Sequence, residues 1–315
     1  MKRKIFKTIK LLRPRQWIKN LAIFASIIFT NQLFTAPLFF KVLLGFFVFC
    51  GISSGIYIIN DLFDIQKDKL HPFKRFRPLA HGDISGRFAI ILFIVITAVS
   101  LFTATSISLT FIGIVLVYLF LQLGYSMFFK DIAVLDILAI AAGYILRVYA
   151  GEVISGFHIS VWLLLTTVSI SLFLAVGKRK SELTLISHMP ERQLEATRKT
   201  LSHYSNKLLD VYASIFATST FIFYTLFTFL GNKPTTINND LLYPEFLPAN
   251  LQRKWLMITI PPVVYGIMRY MQDIYEKHEG ESPEKVLLSD IPLLTTVLIW
   301  GFLVIFIIYV IGINQ

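Results

Sequence analysis

Apolar runs of about eighteen residues or more recur along this whole chain, the length at which an α-helix crosses the hydrocarbon core of a bilayer. No other feature narrows the choice of fold as far. The runs predict an all-α polytopic membrane protein with candidate helices over 17–34, 38–60, 86–105, 107–127, 131–150, 159–177, 207–230, 255–275 and 291–312. Composition agrees: 55% of residues are apolar and the mean hydropathy is +0.67, above the range of soluble domains. Nothing marks a second, soluble domain, so 1–315 is read as one transmembrane domain. The fifth run is the odd one, because it carries Asp136 and Arg147 inside an apolar stretch.

Lys and Arg collect on the cytoplasmic side of membrane proteins. With the N-terminus inside, 25 of the 30 Lys and Arg fall in inside segments and 4 in outside segments, with Arg147 in a span. The asymmetry predicts a cytoplasmic N-terminus and an outside C-terminus. No removable signal peptide is read, because "LLRPRQWIKN" interrupts the basic N-terminus and no small-residue cleavage site follows. The single cysteine, Cys50, lies in an apolar run and is read as a small buried side chain.

One segment departs from its surroundings: "IINDLFDIQKDKLHPFKRFRPLAHGDIS", residues 58–85, between two apolar runs. Asp61, Asp64 and Asp68 are spaced i, i+3, i+7, which puts them on one face of a helix. Asn60 adds a carbonyl oxygen beside them. Close carboxylates repel, and a hard divalent cation relieves the repulsion. Mg²⁺ takes oxygen ligands and is held by one or two carboxylates together with substrate phosphates. Asn60, Asp61, Asp64 and Asp68 are therefore candidate Mg²⁺ ligands. Pro72 and Pro78 break helix and shape the following loop, where Lys74, Arg75 and Arg77 offer cations to phosphate. Ordinary inside-positive topology would also account for that cluster.

Arg147 and Asp136 are eleven residues apart, about 16 Å along a helix axis, so each needs its own partner. A phosphate would suit Arg147, and a structural bridge to another helix is the alternative. Lys19 and Asn20 open the first candidate span; Lys19 either reaches phosphate or snorkels. Trp17 is expected as an interfacial anchor. The polar stretch 275–290 suggests a lid or a headgroup site. His71 and His81 lack metal-ligand spacing. The sequence holds no Walker-type loop, no G-x-S-x-G elbow and no zinc motif.

"NDLFDIQKD" resembles the first aspartate-rich motif of the UbiA-type intramembrane prenyltransferase superfamily. "LLRPRQWIKNLAIFAS", "HPFKRFRPLAHGDIS", "GYSMFFKDIAVLDILAIAAGYILRVYAGE", "LAVGKRKSEL" and "PEKVLLSDIPLL" are similar to its decaprenyl-phosphate phosphoribosyltransferase branch. The resemblance implies nine helices around a polar cavity facing the cytoplasm of a bacterial plasma membrane, and it guided the later span boundaries. It implies transfer of phosphoribose from 5-phosphoribosyl 1-diphosphate to a polyprenyl phosphate, releasing pyrophosphate, on the way to arabinose donors for cell-wall polysaccharide. On this reading Asp61, Asp64 and Asp68 hold Mg²⁺, while Lys130, Arg147 and the 74–77 cluster stabilise the leaving pyrophosphate. Tyr125 and Lys130, in Y-x-x-x-x-K, resemble the second motif of the superfamily. Relatives that prenylate aromatic acceptors carry a second acidic motif after the sixth span. Here Lys178, Arg179 and Lys180 stand in its place, and Lys178 and Arg179 are assigned to the 5-phosphate. Prenyl transfer to an aromatic acceptor and membrane transport are the competing readings. Membrane lipid is the expected surrounding, nucleic acid is not an expected partner, and a homo-oligomer is left open.

Overall fold

The computed structural model describes residues 2–70, 74–187, 204–230, 255–275 and 283–311, and every regular element among them is helical. The chain opens with α1 (Lys2–Leu12), which stops at Arg13 in a left-handed conformation (φ 53°, ψ 59°). Pro14 follows immediately and cannot extend a helix. A tight 3-10 stretch, Pro14–Phe24, then leads into α2 (Ala25–Phe29). After it come α3 (Ala36–Phe63), α4 (Ile65–Leu70), α5 (Gly86–Thr105), α6 (Leu109–Met127), α7 (Leu135–Ser155) and α8 (Val161–Ser187). The chain closes with α9 (Asn206–Leu230), α10 (Ile260–Tyr275), α11 (Pro283–Ser289) and α12 (Ile291–Phe306), the last continuing as a π turn over Ile307–Ile311.

Seven of these segments are long and apolar enough to cross a membrane: α3, α5, α6, α7, α8 to Thr184, α9, and Ile291–Ile311. Their starts follow local chemistry. Ser85, Ser108 and Asp290 cap α5, α6 and α12 by accepting the backbone N–H groups of Phe88, Phe111 and Leu293. Two expected spans take another form. Region 17–34 is the 3-10 stretch plus the five-residue α2, and region 255–275 is a 3-10 turn followed by the sixteen-residue α10. Pro14 and the Pro261–Pro262 pair explain why each begins tightly wound. The fifth span begins later than expected, at Leu135, because Val134 adopts φ 70°. That conformation is rare for a β-branched residue.

One core lies between the 14–29 region, α3, α6 and α7, around Ile52, Phe49, Phe111 and Tyr118. The contact between α7 and the 3-10 stretch is close enough that a Cβ at Gly151 would lie 2.0 Å from the carbonyl oxygen of Ile23. A second core joins α7, α8, α9, α10, α11 and α12 around Phe173, Leu209 and Tyr270. Phe102, Leu109 and Ile291 are 80%, 87% and 74% exposed, an arrangement suited to lipid rather than to water.

Charge is distributed along the bundle axis. Among the described residues, every ion pair except Glu152 with His158 joins groups at the end formed by the C-termini of α3, α6, α8 and α10 and the N-termini of α5, α7, α9 and α12.

Candidate active site

The acidic stretch sits at that polar end. α3 closes at Phe63, Asp64 follows, and α4 carries the turn onward, so the backbone N–H of Asp64 bonds to Asn60 and that of Asp68 bonds to Asp64. The helical spacing thus survives the break. Asp61 and Asp68 are buried, at 2% and 4% exposure. Buried carboxylates require cations or N–H donors. Arg77 supplies one group for both: its Nη1 lies 3.1 Å from Asp61 Oδ1 and 2.7 Å from Asp68 Oδ2. Arg13 Nη2 also reaches Asp61 Oδ1, at 2.5 Å. Lys130 Nζ pairs with Asp64 Oδ1 at 2.8 Å.

The structure therefore brings together Asp61, Asp64, Asp68, Arg77 and Lys130, and adds Arg13. Sequence reasoning missed Arg13: a single arginine in "RPRQW" has no spacing to the aspartates, and its approach depends on the left-handed corner. Of the other loop cations, Lys74 is half-buried, while Arg75 is exposed and stacks on the Phe76 ring at 4.8 Å.

The donors suit a hard divalent ion. Arg77 Nη1 stands between the carboxylate oxygens of Asp61 and Asp68, and the donor atoms that these side chains would offer are all oxygen. The fit is to a pair of carboxylates with substrate phosphates rather than to a closed cage. Among the described residues, no three His, Cys, Asp or Glu side chains converge on one point.

Deeper in the bundle, Arg147 is 5% exposed. Its Nε donates to Asn20 Oδ1 (2.7 Å), Nη1 to the Gly143 carbonyl (2.6 Å) and Nη2 to the Tyr118 hydroxyl (2.6 Å). These are neutral acceptors. No carboxylate pairs with Arg147 among the described residues, and two of its five N–H groups remain outside these bonds. Lys19 pairs with Glu284 Oε2 at 2.9 Å. Trp17 is half-buried and donates its indole N–H to Ser54 Oγ at 3.0 Å.

A second charged group lies on the α7–α9 side. Asp136 is fully buried; its Oδ2 lies 2.6 Å from Arg179 Nε and its Oδ1 accepts from the Tyr204 hydroxyl at 2.7 Å. That hydroxyl in turn accepts the N–H of the strained Val134 at 2.6 Å. Arg179 also pairs with Glu182 and donates to the Tyr125 hydroxyl at 2.7 Å. Lys180 pairs with Asp210 and lies 4.4 Å above the Tyr275 ring. The expected 5-phosphate contact at Arg179 is therefore a side chain already held by two carboxylates; Lys178 beside it is half-buried. The polar stretch 275–290 is described only at Tyr275 and from Pro283 onward, and His71 lies outside the described residues.

The UbiA prenyltransferase family model matches residues 21–289. A relative from Mycolicibacterium smegmatis named decaprenyl-phosphate phosphoribosyltransferase is 35% identical over 296 residues, 93% of this chain and 89% of that protein. One of the same name from Corynebacterium glutamicum is 32% identical over 307 residues, 96% of this chain and 86% of that protein. Among solved structures, a UbiA homolog from Archaeoglobus fulgidus bound to GPP and Mg²⁺ aligns with a TM-score of 0.68 at 22% identity, covering 95% of this chain and 99% of that one.

Proposed function

The chain belongs to the UbiA prenyltransferase family, and from that premise we propose that it transfers phosphoribose from 5-phosphoribosyl 1-diphosphate to a polyprenyl phosphate of decaprenyl type, releasing pyrophosphate. The lipid-linked product is the precursor of arabinose donors for cell-wall polysaccharide. The observation that carries this reading is the near full-length likeness to two relatives named for phosphoribosyl transfer to decaprenyl phosphate. The site chemistry supports it. A donor with a diphosphate at one end and a monophosphate at the other needs cations in two places. Arg13, Arg77 and Lys130, which pair with the acidic stretch, are assigned to one, and Lys178 to the other.

Asp61 and Asp68, with Asn60 and Asp64 beside them, would hold Mg²⁺. Bound there, the ion supplies Lewis acidity that makes diphosphate a better leaving group. In the proposed cycle Arg13, Arg77 and Lys130 turn from the carboxylates to phosphate oxygens, matching the charge that builds on the departing pyrophosphate. Arg147 and Lys19 add to that field, and Tyr125, held by Arg179, offers a hydroxyl. The bond from ribose C1 to the diphosphate oxygen breaks. A phosphate oxygen of the lipid attacks C1 from the opposite face and inverts it. That oxygen is already anionic at neutral pH, so no strong general base is required. Arg179 is assigned here to positioning, and Lys178 to the 5-phosphate.

The bundle is taken as nine passes around a polar cavity that faces the cytoplasm, counting the interrupted 14–29 and 255–275 regions as spans. It lies in a bacterial plasma membrane with the N-terminus inside and the C-terminus outside, as the asymmetry of Lys and Arg favours. Purified protein given labelled 5-phosphoribosyl 1-diphosphate and decaprenyl phosphate tests the proposal. Label passing into a lipid, with equimolar pyrophosphate, lost on chelation and restored by Mg²⁺, is the expected result. Inert donor, with an aromatic acceptor prenylated from a prenyl diphosphate instead, would overturn it.

A further inference from the structure

Glu284 belongs to "PEKVLLSD", a stretch to which the reaction above gives no task. Pro283 opens α11 and Glu284 lies in its first turn, 5% exposed. Burial alone would push this carboxyl up, yet Lys19 and Gln16 hold it below its ordinary value of 4.5. Gln16 donates its side-chain amide to Oε1, and Lys19 Nζ stands 2.9 Å from Oε2. The contacts continue from Gln16. The Tyr57 hydroxyl donates to Gln16 Oε1 at 3.1 Å. The Arg13 guanidinium lies 4.9 Å from the centre of the Tyr57 ring, and its Nη2 reaches Asp61. A carboxylate near the end of the chain is thus joined, side chain by side chain, to the first aspartate of the acidic stretch. Gln16 and Glu284 are 268 residues apart in sequence.

Two other buried carboxylates have local tasks. Asp136 is consumed by Arg179, Tyr204 and the N–H of Ile137. Asp290 caps α12 and takes both sides of Arg269. Glu284 instead holds two residues of the 3-10 stretch, Gln16 and Lys19.

We propose that Glu284 is a positioning residue for donor capture. It sets Lys19 directly, and Arg13 through Gln16 and Tyr57, before the donor arrives. Lysine loses rotamer entropy when its flexible stem is ordered, and holding it in advance removes that penalty from binding. Glu284 itself takes no part in bond making or breaking. This assignment rests on the phosphoribosyl-transfer reading above.

A double-mutant cycle tests it, with Glu284→Gln, Lys19→Met and the pair, in the full-length protein. Donor binding is measured by calorimetry with Mg²⁺, and KM is measured for donor and for decaprenyl phosphate. Glu284→Gln is expected to raise donor Kd and KM about tenfold. The lipid KM stays within about twofold, and in the Lys19→Met background the added effect falls to about twofold or less. Glu284→Asp restores most of the loss. Donor affinity unchanged in Glu284→Gln, equal effects in both backgrounds, or parallel loss for both substrates would each overturn the proposal. Should Glu284→Gln not fold, Gln16→Leu reports on the same relay: raised donor KM supports it and an unchanged value refutes it. A wild-type protein that binds no donor would instead overturn the reaction itself, leaving the two failures distinct.

Discussion

The two charged groups at the polar end use similar residues in opposite ways. Around the acidic stretch, three carboxylates come from one continuous segment, and their cations are borrowed from the 13–14 corner, the 74–77 loop and the turn after α6. Around Arg179 the cations are neighbours on one helix, and the acids arrive from α7, α8 and α9. Exposure separates their arginines further: the side chains of Arg13 and Arg77 are 21% and 24% exposed, that of Arg179 only 1%, while Lys130 and Lys180 are alike at 7% and 10%. Cations on separate, partly wetted segments can leave one anion for another. A guanidinium sealed between two carboxylates and a tyrosine has no such freedom. On the proposed reaction the first group serves exchange, and the second holds helices together.

Activity gives the strongest way to break this contrast. Asp64→Ala and Asp68→Ala should each lower kcat about 10²–10³-fold, in line with losing a main transition-state contact, as read by pyrophosphate release. Turnover within a few-fold of wild type would end the exchange picture. Next in size is a stability effect. Asp136→Asn strips Arg179 of a buried partner and should destabilise by about 3–5 kcal/mol, as read by thermal unfolding in detergent. A neutral result would show that the α7–α9 group is not a clamp. Arg77→Met should raise donor KM about tenfold while shifting Tm far less than Arg179→Met does. Equal Tm losses would erase the distinction.

The smallest effect concerns pH. The Glu284 carboxyl is held below its ordinary value of 4.5, so its contribution to stability is full above that value and fades as pH falls through the lower folded value. Unfolding curves of wild type and Glu284→Gln should therefore differ above about pH 4.5 and converge below it. A gap that widens on acidification would contradict the Lys19 contact. A similar sign applies at Asp83, where the hydrogen bond from Lys7 lowers the carboxyl.

Hydrophobic length revealed most of the bundle, because seven runs each bury or expose a full helix without further help. It could not reveal the corner at Arg13 or the late start of α7. Both turn on one residue's backbone conformation, and Val134 is held in place by Tyr204, a residue just before α9 and 70 residues away in sequence. The carboxylate spacing was legible because helical geometry converts i, i+3, i+7 directly into a shared face. The partners were less so. Arg179 meets Tyr125 across 54 residues and Glu284 meets Gln16 across 268. "KRK" reads equally as topology or as ligand binding until those partners are seen.

The gradient of charge along the bundle axis has an outcome for the product. On the proposed reaction sugar phosphate and lipid headgroup would meet where the ionisable side chains crowd; among the described residues, the opposite half holds only Lys41, Glu152 and His158 of the Lys, Arg, Asp, Glu and His side chains. On that reading the glycolipid is released into the same leaflet that furnished its acceptor, and carrying its headgroup to the far face is a separate step.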